Sequence, residues 1–271
     1  MKIAVCIKSV PDPDYYDSII IDPETKVLVR EGIPTIINTA DKHAIEEALR
    51  IKERAGGNIT VISMGPPAAR QQMMEALAMG ADRAYLVSDR RVGGADTLAT
   101  SYVLYKAIEK TGSYDLVLLG NESADGATAH VPSQLGEWLG ISHAANVTAL
   151  QEEADSVIVT RKLDDGSAKY LLELPAVVAV TQRINKVRLT NALAVIRAKN
   201  KPLEILSADD LGELDEKYLG LKGSPSQNGD LHSVDNKKEC TMIEGSEEEA
   251  AEQIFDIIAP VLGLKGGKQN G

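Results

Sequence analysis

An apolar run, Asp115-Leu116-Val117-Leu118-Leu119, breaks into Gly120-Asn121-Glu122-Ser123-Ala124-Asp125-Gly126-Ala127-Thr128-Ala129-His130-Val131 and resumes as an amphipathic stretch over 132–139. The run has the character of a strand covered on both faces. A strand that ends in glycine and small polar residues and then opens a helix offers backbone N–H groups and a positive helix end, which suit a phosphate. The spacing is neither GxGxxG nor a Walker loop. Its force comes from the start of the chain, Met1-Lys2-Ile3-Ala4-Val5-Cys6-Ile7-Lys8 followed by Val10-Pro11-Asp12. A first strand running into a polar turn, with a later strand carrying the phosphate loop, suggests a nucleotide across the carboxyl ends of a parallel sheet.

The intervening chain fits that arrangement. Residues 2–7 are a continuous apolar strand, 16–21 a short strand and 22–25 a turn. Asp41 is placed to cap a helix over 42–55 that Gly56-Gly57 ends; 58–64 is a strand closed by Gly65-Pro66-Pro67. A helix over 68–79, a strand over 84–87 and a helix over 96–111 follow. Strand and helix thus alternate to about residue 140, which predicts an α/β fold with a doubly wound, mostly parallel Rossmann-like sheet. The strands at 156–162 and 169–174, joined by Asp164-Asp165-Gly166, form a β-hairpin excursion, and 175–181 returns to the sheet. Past 184 the alternation disappears. Residues 223–230 have a linker composition, and a helix over 246–262, capped by Ser246, carries an apolar stripe of Ile254, Ile257, Ile258 and Val261. The expected division is a nucleotide-binding domain over 1–205 and an extended arm over 206–271 whose helix docks on a partner.

Composition removes several function classes. A net charge of −11, from 29 Lys+Arg against 40 Asp+Glu, argues against nucleic acid and against an anionic membrane surface. Aromatic residues are only 4% of the chain, too few for base-stacking platforms. Cys6 and Cys240 match no metal or redox spacing, the four histidines show no HxxxH pattern, and no metal site is expected. No run approaches the length of a membrane span and no leader pattern is evident, so the expected location is the cytoplasm, with no membrane insertion.

The ordered blocks Cys6-Ile7-Lys8 with Val10-Pro11-Asp12, Asn38 with Asp41 and Glu46-Glu47-Ala48-Leu49, Met64-Gly65-Pro66-Pro67, Ala76-Leu77-Ala78-Met79-Gly80-Ala81-Asp82, Gly94-Ala95-Asp96-Thr97, the loop at 120–131 and Leu174-Pro175-Ala176-Val177-Val178 resemble the β subunit of electron-transfer flavoproteins. The likeness is in register over roughly 1–205 and looser along the arm. In one kind of these subunits the pocket holds AMP beside an acidic loop ending Asn-Gln-Thr. In the electron-bifurcating kind it holds FAD beside Asp-Gly-Asp-Thr-Ala-Gln-Val. Here Asp125-Gly126-Ala127-Thr128-Ala129-His130-Val131 is similar to the second, with Ala127 where an acid is usual and His130 where Gln is usual.

What the resemblance implies is an obligate subunit of a flavoprotein oxidoreductase, without activity alone. It would hold FAD, paired with an α subunit that carries its own FAD. Electrons would arrive from NADH and leave to ferredoxin and, through the α-subunit flavin, to an acyl-CoA-type dehydrogenase. The alternatives are an AMP-holding electron shuttle and, remotely, a nucleotide-binding regulatory protein of the universal-stress type. The implied cofactor-binding residues are Cys6, Lys8, Asn38, Thr39, Ala40, Asp41, Met64, Gly65, Asp96, Thr97, Thr100, Gly120, Asn121, Glu122, Asp125, Gly126, Thr128, Ala129, His130 and Val131. Arg188 and Leu193 are implied in partner docking, Arg188 within a basic patch of Arg183, Asn185 and Lys186. No nucleophile or general-base constellation stands out, which fits chemistry carried by a cofactor.

Overall fold

The computed structural model describes residues 1–18, 20–21, 28–29, 32–226 and 240–263. In chain order its elements are β1 (Lys2–Cys6), β2 (Ser9–Pro11), β3 (Ile20–Ile21), β4 (Leu28–Val29), β5 (Thr35–Ile37), α1 (Thr39–Ala55), β6 (Asn58–Met64), α2 (Arg70–Met79), β7 (Arg83–Val87), α3 (Thr97–Thr111), β8 (Leu116–Gly120), α4 (Val131–Leu139), β9 (Ser142–Glu152), β10 (Ser156–Lys162), β11 (Ser167–Glu173), β12 (Ala176–Val180), α5 (Ala192–Ala198), β13 (Leu203–Leu206) and α6 (Glu247–Ile258).

Nine strands form one sheet in the order β11-β10-β9-β12-β8-β1-β6-β7-β13. The pairs from β9 through β13 are all parallel, and only β9–β10 and β10–β11 are antiparallel. Side chains of β1 alternate between two cores, as strand periodicity requires. Ile3 and Val5 join Ala44, Met73 and Ala198 of α1, α2 and α5, while Ala4 and Cys6 join Tyr102 and Leu135 of α3 and α4. The fold is therefore doubly wound, with helices on both faces. Strand order reverses at β1, which has β6 on one side and β8 on the other, so the crevice beyond β1 and β8 is the switch point where open α/β sheets bind ligands.

The aromatic residues are concentrated on one face. Trp138 lies within 5.2 Å, centroid to centroid, of Tyr102 and 5.0 Å of Tyr218, and stacks on Tyr105 at 6.1 Å.

Several local readings differ from the structure. Residues 13–18 form a 3-10 turn rather than the first part of a strand, because Asp12 accepts from the Asp14 and Tyr15 N–H groups and curls the chain. The turn at 22–25 lies outside the described residues. Helix α1 begins at Thr39, so Asp41 is not its cap but a residue of its first turn, aimed inward. Strand β9 differs from the expectation, as do helix α5 and strand β13, of which β13 extends the sheet at the β7 edge. The first compact unit runs Met1–Leu231, and Leu211 and Leu219 lie in its core. In the second unit, His232–Gly271, α6 starts at a capping box of Ser246 and Glu249.

Candidate functional site

The switch point is closed by one buried carboxylate. Asp41, 5% exposed, accepts from Lys8 N–H at 2.7 Å and from Gly120 N–H at 2.9 Å. These are the residues at the carboxyl ends of β1 and β8, so a single side chain from α1 ties the two strand ends together. Burial pushes the Asp41 carboxyl up to about 7, although the N–H of Lys8, the Asn38 amide and the N–H of Gly120 pull the other way. Burial also pushes the neighbouring Cys6 thiol up to about 12, with the charge of Asp41 adding to the effect. Cys6 is therefore a packed apolar residue and not a reactive thiolate.

A pH dependence follows. In the unfolded chain Asp41 releases its proton near 4, whereas the folded protein keeps it to about 7. The folded state binds more protons across that window, so the contribution of Asp41 to stability is whole below about 4. It declines as pH rises and levels off above about 7. Urea midpoints recorded from pH 4.5 to 8 will carry this decline in the wild type and lack it in Asp41→Asn. Parallel curves would show that the carboxyl titrates normally.

Asn38, 2% exposed, holds the loop after β8. Its Nδ2 donates to Glu122 O at 2.9 Å and its Oδ1 accepts from Ala124 N–H at 3.1 Å. Lys8 Nζ reaches Asp125 Oδ1 at 2.6 Å and Ser123 Oγ at 3.2 Å, which takes two of its three donors. Ala127 and Ala129 have φ of 47° and 54°, a region that residues with a Cβ seldom occupy. His130 Nδ1 bonds Thr128 O, and His130 precedes α4 without capping it by its side chain; Pro132 has no N–H, so the Val131 and Ser133 N–H groups at the start of α4 are the ones left without a side-chain acceptor among the described residues.

The residues expected at the site sort as follows. Lys8, Asn38, Asp41, Gly120, Glu122 and Asp125 form one hydrogen-bonded group. Thr39 and Ala40 open α1 beside it, and Gly126, Thr128, Ala129, His130 and Val131 continue the loop into α4. Met64 ends β6, and Gly65 N–H donates to Val87 O at the next strand end. Asn121 turns the other way, its Oδ1 accepting from Asn146 N–H at 2.8 Å. Asp96 caps α3 through Ala99 N–H, and its second oxygen accepts from Ser226 N–H at 2.9 Å; Thr97 and Thr100 lie in the same first turns.

Arg188 lies on α1. Its guanidinium bridges Glu46, at 2.7 Å, and Glu53, at 2.6 Å, while Asn185 Nδ2 donates to His43 O and Glu47 Oε2 at 3.0 Å. Against the desolvation of its site, Arg188 and Arg50 hold the Glu46 carboxyl below its ordinary range. The clamp leaves Leu189 97% exposed and Leu193 63% exposed.

A loop held by Asn38, Asp41 and Lys8 at the switch point, followed by an uncapped helix start, can bind the phosphates of a nucleotide. The profile described as "Electron transfer flavoprotein domain" matches residues 25–211. An electron transfer flavoprotein subunit beta of Thermoanaerobacterium thermosaccharolyticum is 43% identical over 257 residues, covering 94% of this chain and 97% of the relative. Subunit CarD of the caffeyl-CoA reductase-Etf complex of Acetobacterium woodii is 40% identical, covering 84% and 86%. The acryloyl-CoA reductase electron transfer subunit gamma of Anaerotignum propionicum is 35% identical, covering 94% and 97%. With its doubly wound sheet and its switch-point loop, the chain belongs to the electron transfer flavoprotein family, as a β subunit.

Proposed function

We propose that the switch-point crevice holds FAD, and that the chain serves as the NADH-facing half of an electron-bifurcating heterodimer in the cytoplasm. The observation that carries this reading is the loop itself. Past Asp125 it has no carboxylate as far as α4, and Gly126, Ala127 and Ala129 keep it bare of bulk where a diphosphate needs close approach. Two alanines in the left-handed region are a local cost of the kind that functional loops retain.

The donor set fits the group. Lys8 and the Val131 and Ser133 N–H groups would hold the diphosphate and Met64 and Gly65 the adenosine half, while Asn38 and Asp41 hold the loop in shape. The chemistry FAD supplies when bound is exchange of a hydride from NADH for single electrons, one to ferredoxin and one to the α-subunit flavin and an acyl-CoA-type dehydrogenase. The names of relatives as caffeyl-CoA reductase and acryloyl-CoA reductase subunits support a partner of that class. The arm belongs to the grip on the α subunit: among its described residues Ile254, Ile257, Ile258 and Val261 remain exposed.

The deciding experiment counts FAD and AMP per heterodimer and adds NADH anaerobically. Two FAD, no AMP and bleaching by NADH are expected. One FAD with one AMP would make the chain the structural half of a plain electron shuttle.

A further inference from the structure

Residues 219–226, the last described stretch of the first unit, are moored to the entry of α3. The main-chain N–H of Asp96 donates to Ser224 Oγ at 2.8 Å, and Ser224 Oγ donates onward to Gly220 O at 2.7 Å. The Asp96 carboxylate faces two ways. One oxygen accepts from Ala99 N–H at 3.1 Å and caps α3, and the other accepts from Ser226 N–H at 2.9 Å. Ser224 is 5% exposed, so water cannot stand in for its partners. Leu221 N–H donates to Gly93 O at 3.1 Å, and a Cβ on Gly220, whose φ is 53°, would strike Arg91 O. Leu219 packs in the same core as Tyr102, and the Tyr218 ring lies 5.2 Å from that of Tyr102.

The needs of a helix start do not account for this arrangement. Capping α3 takes one carboxylate oxygen, and several polar residue types would serve. A segment that only had to leave the domain would need neither a buried serine nor a glycine pressed against a carbonyl. What the contacts fix is the place at which the chain departs from the first unit, after Ser226. The second unit, His232–Gly271, follows, and it carries the exposed Ile254, Ile257 and Ile258 of the proposed grip on the α subunit. The inference rests on that reading. An arm on a fixed root explores less space than one on a loose root, so less entropy is lost when it binds.

We propose that Asp96 and Ser224 form the latch that fixes the root of the arm. Asp96 is then a positioning residue, which acts on the hold of the α subunit through the arm and not on the nucleotide.

The test uses the full-length chain with its α subunit. Asparagine caps a helix as well as aspartate does, but its amide offers a single acceptor, so Asp96→Asn can serve Ala99 N–H or Ser226 N–H and not both. Ser224→Ala cuts the latch from the other side and leaves the α3 cap in place. Either variant keeps the test open should the other fail to fold. Three quantities are read: hydrogen-exchange protection of 219–226, the dissociation constant of the heterodimer, and the affinity of the β site for FAD and for AMP. In each variant protection is expected to fall and the heterodimer to weaken by roughly fivefold to tenfold. The double variant is expected to be at most about twofold worse than either, since both cut one latch. Nucleotide affinity is expected to stay within about twofold of wild type. A roughly tenfold loss of nucleotide affinity in Asp96→Asn that Ser224→Ala does not share overturns the inference and makes Asp96 a ligand contact. Unchanged protection overturns it as well, because the segment is then held by its apolar residues alone. So does lost protection with heterodimer affinity unchanged. Ile257→Glu in α6 probes the reading underneath. If it leaves heterodimer affinity unchanged, the arm does not grip the α subunit and the latch falls with that reading; if it weakens the heterodimer and the latch variants do not, the latch alone falls.

Discussion

A heterodimer carrying Gly120→Ala in this chain will purify without nucleotide in the β site and will unfold at markedly lower urea. The added Cβ would lie 2.3 Å from Asp41 Oδ1, 2.7 Å from Ala40 Cβ and 2.9 Å from the Ala40 backbone carbon. None of these can step aside cheaply. Asp41 is held by two backbone N–H groups, and Ala40 belongs to a helix that packs on the fully buried β8. Relief requires the end of β8 to move away from α1, which breaks the Gly120–Asp41 hydrogen bond and carries the loop with it. Overpacking of this kind costs about 1–3 kcal/mol before the lost hydrogen bond is counted. Nucleotide content close to wild type, with stability within about 0.5 kcal/mol, would mean that the strand end and α1 are not packed as described.

The second large effect is expected from Asn38→Asp. Asn38 uses both ends of its amide, giving a proton to Glu122 O and taking one from Ala124 N–H. Aspartate keeps the second contact and turns the first into a carboxylate facing a carbonyl oxygen, in a site that is 2% exposed and beside Asp41. An acceptor facing an acceptor plus a buried, unpaired charge is expected to cost about 3–5 kcal/mol. The alternative is uptake of a proton, which would make the loss steeper as pH rises. Nucleotide affinity should fall at least about tenfold as the loop loses its shape. Asn38→Ala, which removes both contacts without adding charge, should cost less than the aspartate. If the alanine proves the worse of the two, the amide is serving mainly as filler.

The parts of the fold that could be read in advance are those where local signals agree. Residues 3–6 and 116–120 are unbroken runs of apolar and small residues because each is sandwiched between helices, and no other element suits them. Strand β9 gave no such signal. Its early residues, Ser142-His143-Ala144-Ala145-Asn146, have weak strand preference, and Asn146 sits at φ 57° beside a register shift with β12. It is a strand because β12 and β10 pair with it on either side, which is information from elsewhere in the chain. The short β13 is likewise set by its pairing with β7.

At the candidate site the loop after β8 was legible and its wiring was not. Small residues at a strand end mark such a loop in the sequence. That Asp41 would join Lys8 to Gly120, across 33 and 79 residues of sequence, has no local signature, and an aspartate at the front of a helix reads as a cap. Asp96 was half legible for a related reason. It does cap α3, but only the packing of 219–226 on the helix entry gives its second oxygen to Ser226, 130 residues further along.

Helix α1 has two attachments. Its start holds the loop after β8 through Asn38 and Asp41, and its flank holds Arg188 and Asn185, next to the exposed Leu189, through Glu46, Glu47 and Glu53. At 1.5 Å rise per residue, Asp41 lies about 8 Å along the axis from Glu46 and about 18 Å from Glu53. The spacing between the cradle and the protruding leucine is thus measured along a rigid rod instead of through flexible loops. Tunnelling between redox centres falls off exponentially with their separation. In a subunit of an electron-transfer family, such a rod would set the distance from a nucleotide held in the crevice to any partner bound beside Leu189, and with it the rate at which charge could cross.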